Sequence, residues 1–287
     1  MWQEVDLSPS SEIFDSVAWD IPQDLQAGVT ASLGNRIGTP GFTQHLSAWM
    51  PRAAQRRPGA AEPRTIQVGT GLIVAAGEAV VTPLPGTVVG LDSAGVITIA
   101  HEGTAPAGAN GKIWTRWFGL ATSNIIGTVL EVGDTVGTVV GWDDQTSGVG
   151  PIVFIQALTD QETALGDARV FISPSERTAW SEKCIDPAVL LGIVTQFAPE
   201  QKLTGDQVLA VRDQRLARSQ RAYFKRPPNL IRSRGVWFYD EDALGYLDVI
   251  NNVSHVGHAE PRVVAAATRQ LSRLNTNSRF MYEGIAS

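Results

Sequence analysis

The sequence predicts a mainly β module, a sandwich or flattened barrel, followed by an α+β segment, and three observations carry that prediction. From residue 64 to about 158, short runs rich in Val, Ile and Thr alternate with glycine turns, as in GLIVAAG, AVVTPLPGTVVGLD, GVITIAHEG and IIGTVLEVGDTVGTVVGWDD. Beyond residue 204 the apolar spacing becomes helical in two stretches that flank a pair of short strands. Charge changes at the same place. Residues 1–200 carry 10 basic and 21 acidic residues, whereas residues 201–287 carry 13 and 8, a swing from net −11 to net +5.

Residues 1–63 read as an irregular segment with a few short elements, ending in PRAAQRRPGAAEPR, whose Pro, Gly and Arg content suits an exposed linker. Residues 64–158 form the β module. Its strands are short and about ten residues apart, which favours a sandwich or barrel over a parallel sheet with helices. Turns are expected at Gly86, Gly95 and Gly133.

Residues 159–203 form a connector in which Ser173 or Ser175 caps one short helix and Pro187 begins another. Residues 204–226 read as a helix capped by Thr204 or Asp206 and stopped by Pro227–Pro228. Strands at Val236–Tyr239 and Tyr246–Ile250, an Asn-rich turn and a helix from Pro261 to Leu274 complete the final unit, residues 204–287.

Several function classes are excluded by composition. The formal net charge is −6, which argues against a chain built to coat nucleic acid or anionic lipid. The helix 204–226 does place Arg212, Arg215, Arg218, Arg221 and Lys225 at intervals of three or four, a stripe suited to phosphate or to plain solvation. The single Cys184 forms no internal disulfide and supplies no multi-cysteine metal site. The acidic start MWQEVDLSPSSEIFD lacks the features of a signal peptide, and no apolar run reaches the ~20 residues that span a bilayer. A soluble, cytoplasmic protein is expected, with neither nucleic acid nor membrane as partner.

The run TIQVGTGLIVAAGEAVVTPLPGTVVGL, then TRWFGLA, VLEVGDTVGTVVGW and GPIVFIQAL, resembles the lysostaphin-like, or LytM, zinc endopeptidase domain across most of residues 64–158. The resemblance implies a duplicated-hybrid-motif β fold. It also implies a zinc ligand set, but the positions that match it are Gln67, Gly71, Gly119, Ile152 and Phe154. A hydrolytic zinc needs nitrogen or carboxylate ligands and an open position for water, and Gly, Ile and Phe offer no side-chain lone pair. His101 is the only histidine in the module. A metal-less scaffold is expected, with no catalytic and no metal residues. A carrier role on a hairpin lysine is disfavoured, because Lys112 is the module's only lysine and lacks recognition residues beside it.

Residues 232–282 resemble the opening of class III pyridoxal-phosphate aminotransferases through Arg234–Gly235, Asp240, Asp242, Tyr246–Leu247–Asp248, Gly257–His258 and Pro261. The combined form is similar to aminotransferases or phospholyases fused behind a LytM-like domain. Two positions depart from the family pattern: Glu260 stands for a His and Ala243 for a turn Gly. The four lysines, Lys112, Lys183, Lys202 and Lys225, all precede the motif, so none matches the cofactor lysine. No residue of this chain is therefore assigned to cofactor binding.

The resemblance covers only the beginning of such a domain and implies an incomplete one. The parent enzyme would use pyridoxal phosphate to transaminate, or act as a lyase on, a small amine, and would be a homo-oligomer. The missing region would lie on the same or another chain. Within this segment Asn251, Asn252 and His255 are the candidate contributors to a substrate pocket once the domain is completed. Two alternatives stay open: one chain of a split enzyme, or a β module that binds a ligand or positions another domain. His255 and His258, three apart in a glycine-containing turn, suit either a metal or hydrogen bonds that brace the turn.

Overall fold

The computed structural model describes residues 2–15, 22–33, 43–46, 62–103, 111–141, 152–166, 168–193, 205–220, 223–249 and 255–273. The glycine-punctuated runs form strands, and these build a large sheet with a smaller one packed on it. The large sheet runs, from one edge, through Trp2–Glu4, Thr43–Leu46, Thr70–Ile73, Ile152–Leu158, Lys112–Phe118, Ile97–Glu102, Gly86–Leu91 and Val129–Leu130, with Cys184–Ile185 alongside Ile152–Leu158. Its first pair is parallel and the pairs that follow are antiparallel. The smaller sheet holds Ala79–Val81, Thr135–Val139 and Leu120–Ala121. This is the mainly β module that the sequence predicts.

Strand Ile152–Leu158 is buried along its whole length, which explains its apolar run, interrupted only by Gln156. Its side chains alternate between two cores. Val153 and Ile155 face the inter-sheet core with Val88, Ile97, Trp117, Val136 and Val139. Ile152 and Phe154 face a second core, which Val5, Leu7, Phe14, Leu25, Val29, Phe171 and Tyr239 complete.

That second core draws the short elements of residues 1–63 into the main fold. Their described parts supply two strands of the large sheet, a 3-10 turn at Glu12–Asp15 and the helix Pro22–Leu33. Leu25 and Val29, four apart, are buried on one face of that helix. Read locally, Val5, Leu7 and Phe14 show no period, because their partners lie on a strand about 140 residues away in the chain. The linker at 51–61 lies outside the described residues.

Gly95 and Gly133 occupy turns with φ of +78° and +91°. Gly86 does not: it opens strand Gly86–Leu91, where a Cβ would lie 2.6 Å from the Ala100 carbonyl oxygen and 2.7 Å from His101 Nδ1. Glycine there serves close approach rather than a turn.

In the connector, Asp160 caps Gln161–Leu165, Ser173 and Glu176 close a capping box, and Pro187 opens a 3-10 turn. The buried guanidinium of Arg116 donates to the carbonyls of Thr163, Ala164 and Gly166, at the C-terminal end of the short helix. The Thr163 carbonyl also accepts from the Gly166 N–H at 3.3 Å, and the cation adds the remaining donors that the helix end needs.

The helix expected over 204–226 spans only Gly205–Arg215, followed by a 3-10 turn at Arg218–Gln220. No residue of it is buried, so nothing beyond local propensity holds further turns, and the chain folds back on itself. Of the five cations of the expected stripe, Arg212 and Arg215 lie on the helix and Arg218 on the 3-10 turn, Lys225 follows outside both, and Arg221 lies outside the described residues. Downstream, Leu230–Arg234, Trp237–Asp240 and Gly245–Leu247 form an antiparallel meander whose first strand the sequence reading did not include. Helix Pro261–Leu271 starts at its proline, as predicted, with no buried residue; Leu274 lies outside the described residues.

Candidate functional site

The positions that match the zinc set do converge. Gly71 pairs with Phe154 across two strands, Ile152 pairs with Ile73, and Phe154 pairs on its other side with Phe118, the neighbour of Gly119. Gln67 pairs with Phe171, whose ring meets Phe154 edge-on at 6.0 Å between centroids. What fills this corner is an aromatic contact in a closed core. Gln67 is fully buried and its side-chain amide donates to the Gly69 carbonyl at 2.8 Å. Nearby, the Gln156 amide donates to the carbonyls of Val68 at 2.7 Å and Arg169 at 2.6 Å. Among the described residues no group of three or more His, Cys, Asp or Glu is placed to hold a metal ion.

His101, one of the module's buried polar groups, is held on both ring nitrogens. Nδ1 lies 2.9 Å from the Pro85 carbonyl oxygen and Nε2 lies 2.8 Å from Thr115 Oγ1. A carbonyl only accepts, so Nδ1 carries the proton and Nε2 accepts from the threonine hydroxyl. That hydroxyl in turn accepts from Trp117 Nε1 at 2.9 Å. Burial pushes the His101 pKa below its ordinary value, against the hydrogen bond to Pro85, so the ring is a neutral brace. Burial likewise pushes the Cys184 thiol up to about 12, which leaves it unreactive.

The aminotransferase-like segment gathers its motif residues into one ribbon. Gly235 and His258 exchange two backbone hydrogen bonds, at 2.9 and 2.8 Å, joining the Arg-Gly turn to the Gly-His turn. A Cβ on Gly257 would lie 3.1 Å from the Gly235 backbone, so this junction needs glycine on one side. His258 Nε2 lies 2.9 Å from Asp248 Oδ2, and its ring lies 4.5 Å from that of Phe238. The acidic turn is wound around Asp240, whose carboxylate accepts from the backbone N–H of Asp242 and Leu244 and from the Tyr246 hydroxyl at 2.8 Å. Burial and that hydrogen bond push the Tyr246 pKa up to about 12. Ala243 sits at φ +61°, so the substitution of a usual glycine leaves an alanine in the left-handed region. Glu260 precedes Pro261 and bonds Arg262 at 2.6 Å.

The ribbon is anchored on the module. Arg232 donates to the carbonyls of Pro9 and Ser11 and to Asp15, Thr65 Oγ1 donates to the Asp242 carbonyl, and Arg177 pairs with Asp242 at 3.2 Å. Tyr239 enters the second core.

Of the candidate substrate-pocket residues, Asn251 and Asn252 lie outside the described residues, and His255 is exposed on the turn before Gly257. His255 and His258 do not share a ligand set, because His258 is committed to Asp248 and Phe238. The sequence places Asp248 in the Tyr-Leu-Asp motif without a partner and gives no signal for Phe238; the structure sets both against His258. The described lysines do not fit an aldehyde cofactor, which needs an amine in a pocket that excludes water. Lys112 is paired with Glu102 at 2.7 Å on the surface, Lys183 is exposed beside Thr163, Lys225 is exposed, and Lys202 lies outside the described residues.

No family model matches the chain. Among curated proteins, it is 33% identical over 84 residues to a Drosophila melanogaster protein described as alanine–glyoxylate aminotransferase 2-like, covering 29% of this chain and 17% of that protein. It is 32% identical over 97 residues to the Caenorhabditis elegans ethanolamine-phosphate phospho-lyase homolog 1, covering 32% and 21%. The human mitochondrial alanine–glyoxylate aminotransferase 2 is 34% identical over 91 residues, covering 30% and 18%. The chain thus spans about a fifth of the length of these relatives.

Among solved structures, it is similar to the catalytic domain of lysostaphin from Staphylococcus simulans, at 12% identity and a TM-score of 0.30, covering 44% of this chain and 89% of that one. It is also similar to the catalytic domain of the prophage-encoded M23 protein EnpA from Enterococcus faecalis, at 17% identity and a TM-score of 0.29, covering 48% and 92%. The aminotransferase resemblance read from the sequence thus has counterparts among curated proteins over this part of the chain.

Proposed function

We propose that this chain is a non-catalytic member of an aminotransferase fusion: a scaffold module without peptidase chemistry that carries the opening ribbon and helix of a pyridoxal-phosphate-dependent transaminase or lyase. The observation that carries the reading is the ribbon itself. Arg234–Gly235, Asp240, Tyr246–Asp248 and Gly257–His258 are joined by specific hydrogen bonds into one unit mounted on the module. Curated relatives described as aminotransferases support it. In a complete enzyme the cofactor would act as electron sink for chemistry on a small amine. No step is assigned to it here, because the described lysines do not fit it. The remainder of the enzyme, on the same chain or a partner, would supply that lysine, and Asn251, Asn252 and His255 would then border the substrate.

Titration of this chain with pyridoxal phosphate tests the reading. No tight, saturable absorbance of a lysine–cofactor adduct is expected, and a one-to-one covalent adduct, read by that absorbance and abolished by replacing a single lysine, would overturn it. For the module, Gln67, Gly71, Gly119, Ile152 and Phe154 predict no stoichiometric zinc and no peptidoglycan cleavage. Finding one tightly held zinc per chain after purification without chelator would sink the scaffold reading.

A further inference from the structure

The segment that follows the connector holds a feature that the proposed function does not use. Helix Gly205–Arg215 ends, the chain turns through Arg218–Gln220, and residues 223–226 come back along it. Between the two limbs lies a cleft of about 450 Å³, within the range of roughly 300–1,000 Å³ usual for small-molecule sites. Leu209, Leu216, Ala217 and Phe224 give it an apolar lining, and Arg212 and Lys225 stand in the same lining against one carboxylate, Asp213. Leu216 and Phe224 are 43% and 53% exposed, apolar surface that the described chain leaves open. Arg212 places one guanidinium nitrogen 3.5 Å from the Gln220 carbonyl, which leaves most of its donors for another acceptor. Lys225 makes no hydrogen bond or ion pair among the described residues.

We propose that this cleft binds a small amphipathic anion: an apolar or aromatic body bearing a carboxylate or a phosphate. The apolar body covers Leu216 and Phe224, while the anion takes charge-assisted hydrogen bonds from Arg212 and Lys225. A polyanion fits less well. Of the described cations, Arg215 and Arg218 fall outside the lining, so Arg212 and Lys225 alone among them face the cleft. The proposal uses no cofactor chemistry, and pyridoxal phosphate held in the cleft without a lysine adduct would support it while leaving the aminotransferase reading standing.

Calorimetric titration of the full chain with phenyl phosphate and with benzoate tests it, using inorganic phosphate as the anion-only control and benzyl alcohol as the apolar-only control. Saturable one-to-one binding of at least one aromatic anion is expected, tighter than either control. Arg212→Gln and Lys225→Gln should each weaken it by about tenfold, and Leu216→Ala should weaken it further, with the far-ultraviolet circular dichroism unchanged. Inorganic phosphate binding as tightly as phenyl phosphate would overturn the proposal. So would an equal loss in Arg218→Gln, which reports a diffuse basic surface, or the absence of saturation.

Discussion

The module and the last helix handle apolar side chains in opposite ways. Trp117, Phe154, Ile97 and Val136 are all but completely buried, each shared between strands that are distant in the chain. Val263, Val264 and Leu271 lie on a helix of comparable apolar patterning yet are 54%, 46% and 65% exposed. Between the extremes sits the ribbon, tied to the module by Arg232, Asp242 and Tyr239 while Leu247 and Val249 face outward. Periodicity therefore announces an apolar face without saying whether the chain itself covers it. A strand in a sheet finds its partner through backbone pairing, whereas a single amphipathic helix depends on whatever surface is offered.

The largest effect expected is at the core. Phe154→Ala removes a ring shared by the second core and should cost about 3–5 kcal/mol in urea unfolding. A loss under about 1 kcal/mol would mean that the corner where the zinc-set positions converge is loosely packed.

Arg232→Ala comes next. It strips hydrogen bonds from two carbonyls and from Asp15, and should cost roughly 1.5–3 kcal/mol, with proteolysis appearing first in the ribbon. Unchanged protease resistance at residues 230–247 would show that Tyr239 alone holds the ribbon down.

The third effect is acid sensitivity of the module. His101 has a folded pKa below its ordinary value of 6.5, so the unfolded chain takes up the proton first as pH falls. Stability is full above about pH 6.5, and declines below it by at most ~1.4 kcal/mol per pH unit until the folded pKa is passed. His101→Gln should flatten that slope between pH 6.5 and 5, above the range where most carboxylates titrate. A slope that survives the substitution assigns it to other groups.

The smallest effect belongs to the helix. Val263→Ser and Leu271→Ser should each change the stability of this chain by no more than about 0.5 kcal/mol, because the side chains are already in water. Amide exchange should likewise be fast at 263–271 and slow at 97–101 and 113–117. Strong protection of the helix amides in a monomer would show that the helix is covered and would erase the contrast.

The sequence by itself determined the β character of residues 64–158, the capped turns of the connector, the proline start of the last helix and both resemblances. These are local signals: alternation, glycine turns, caps and short motifs depend on neighbours a few residues away. Tertiary structure alone decided that Val5, Leu7 and Phe14 complete a core against Phe154, and that Gly86 serves close packing beside His101. It also decided that Asp248 and Phe238 hold His258, and that the basic helix stops at Arg215 so that Lys225 returns to Arg212. In each case the partner is remote in sequence or the decisive fact is a missing contact. Neither leaves a trace in the order of residues, because burial is a property of the assembled surface rather than of any segment within it.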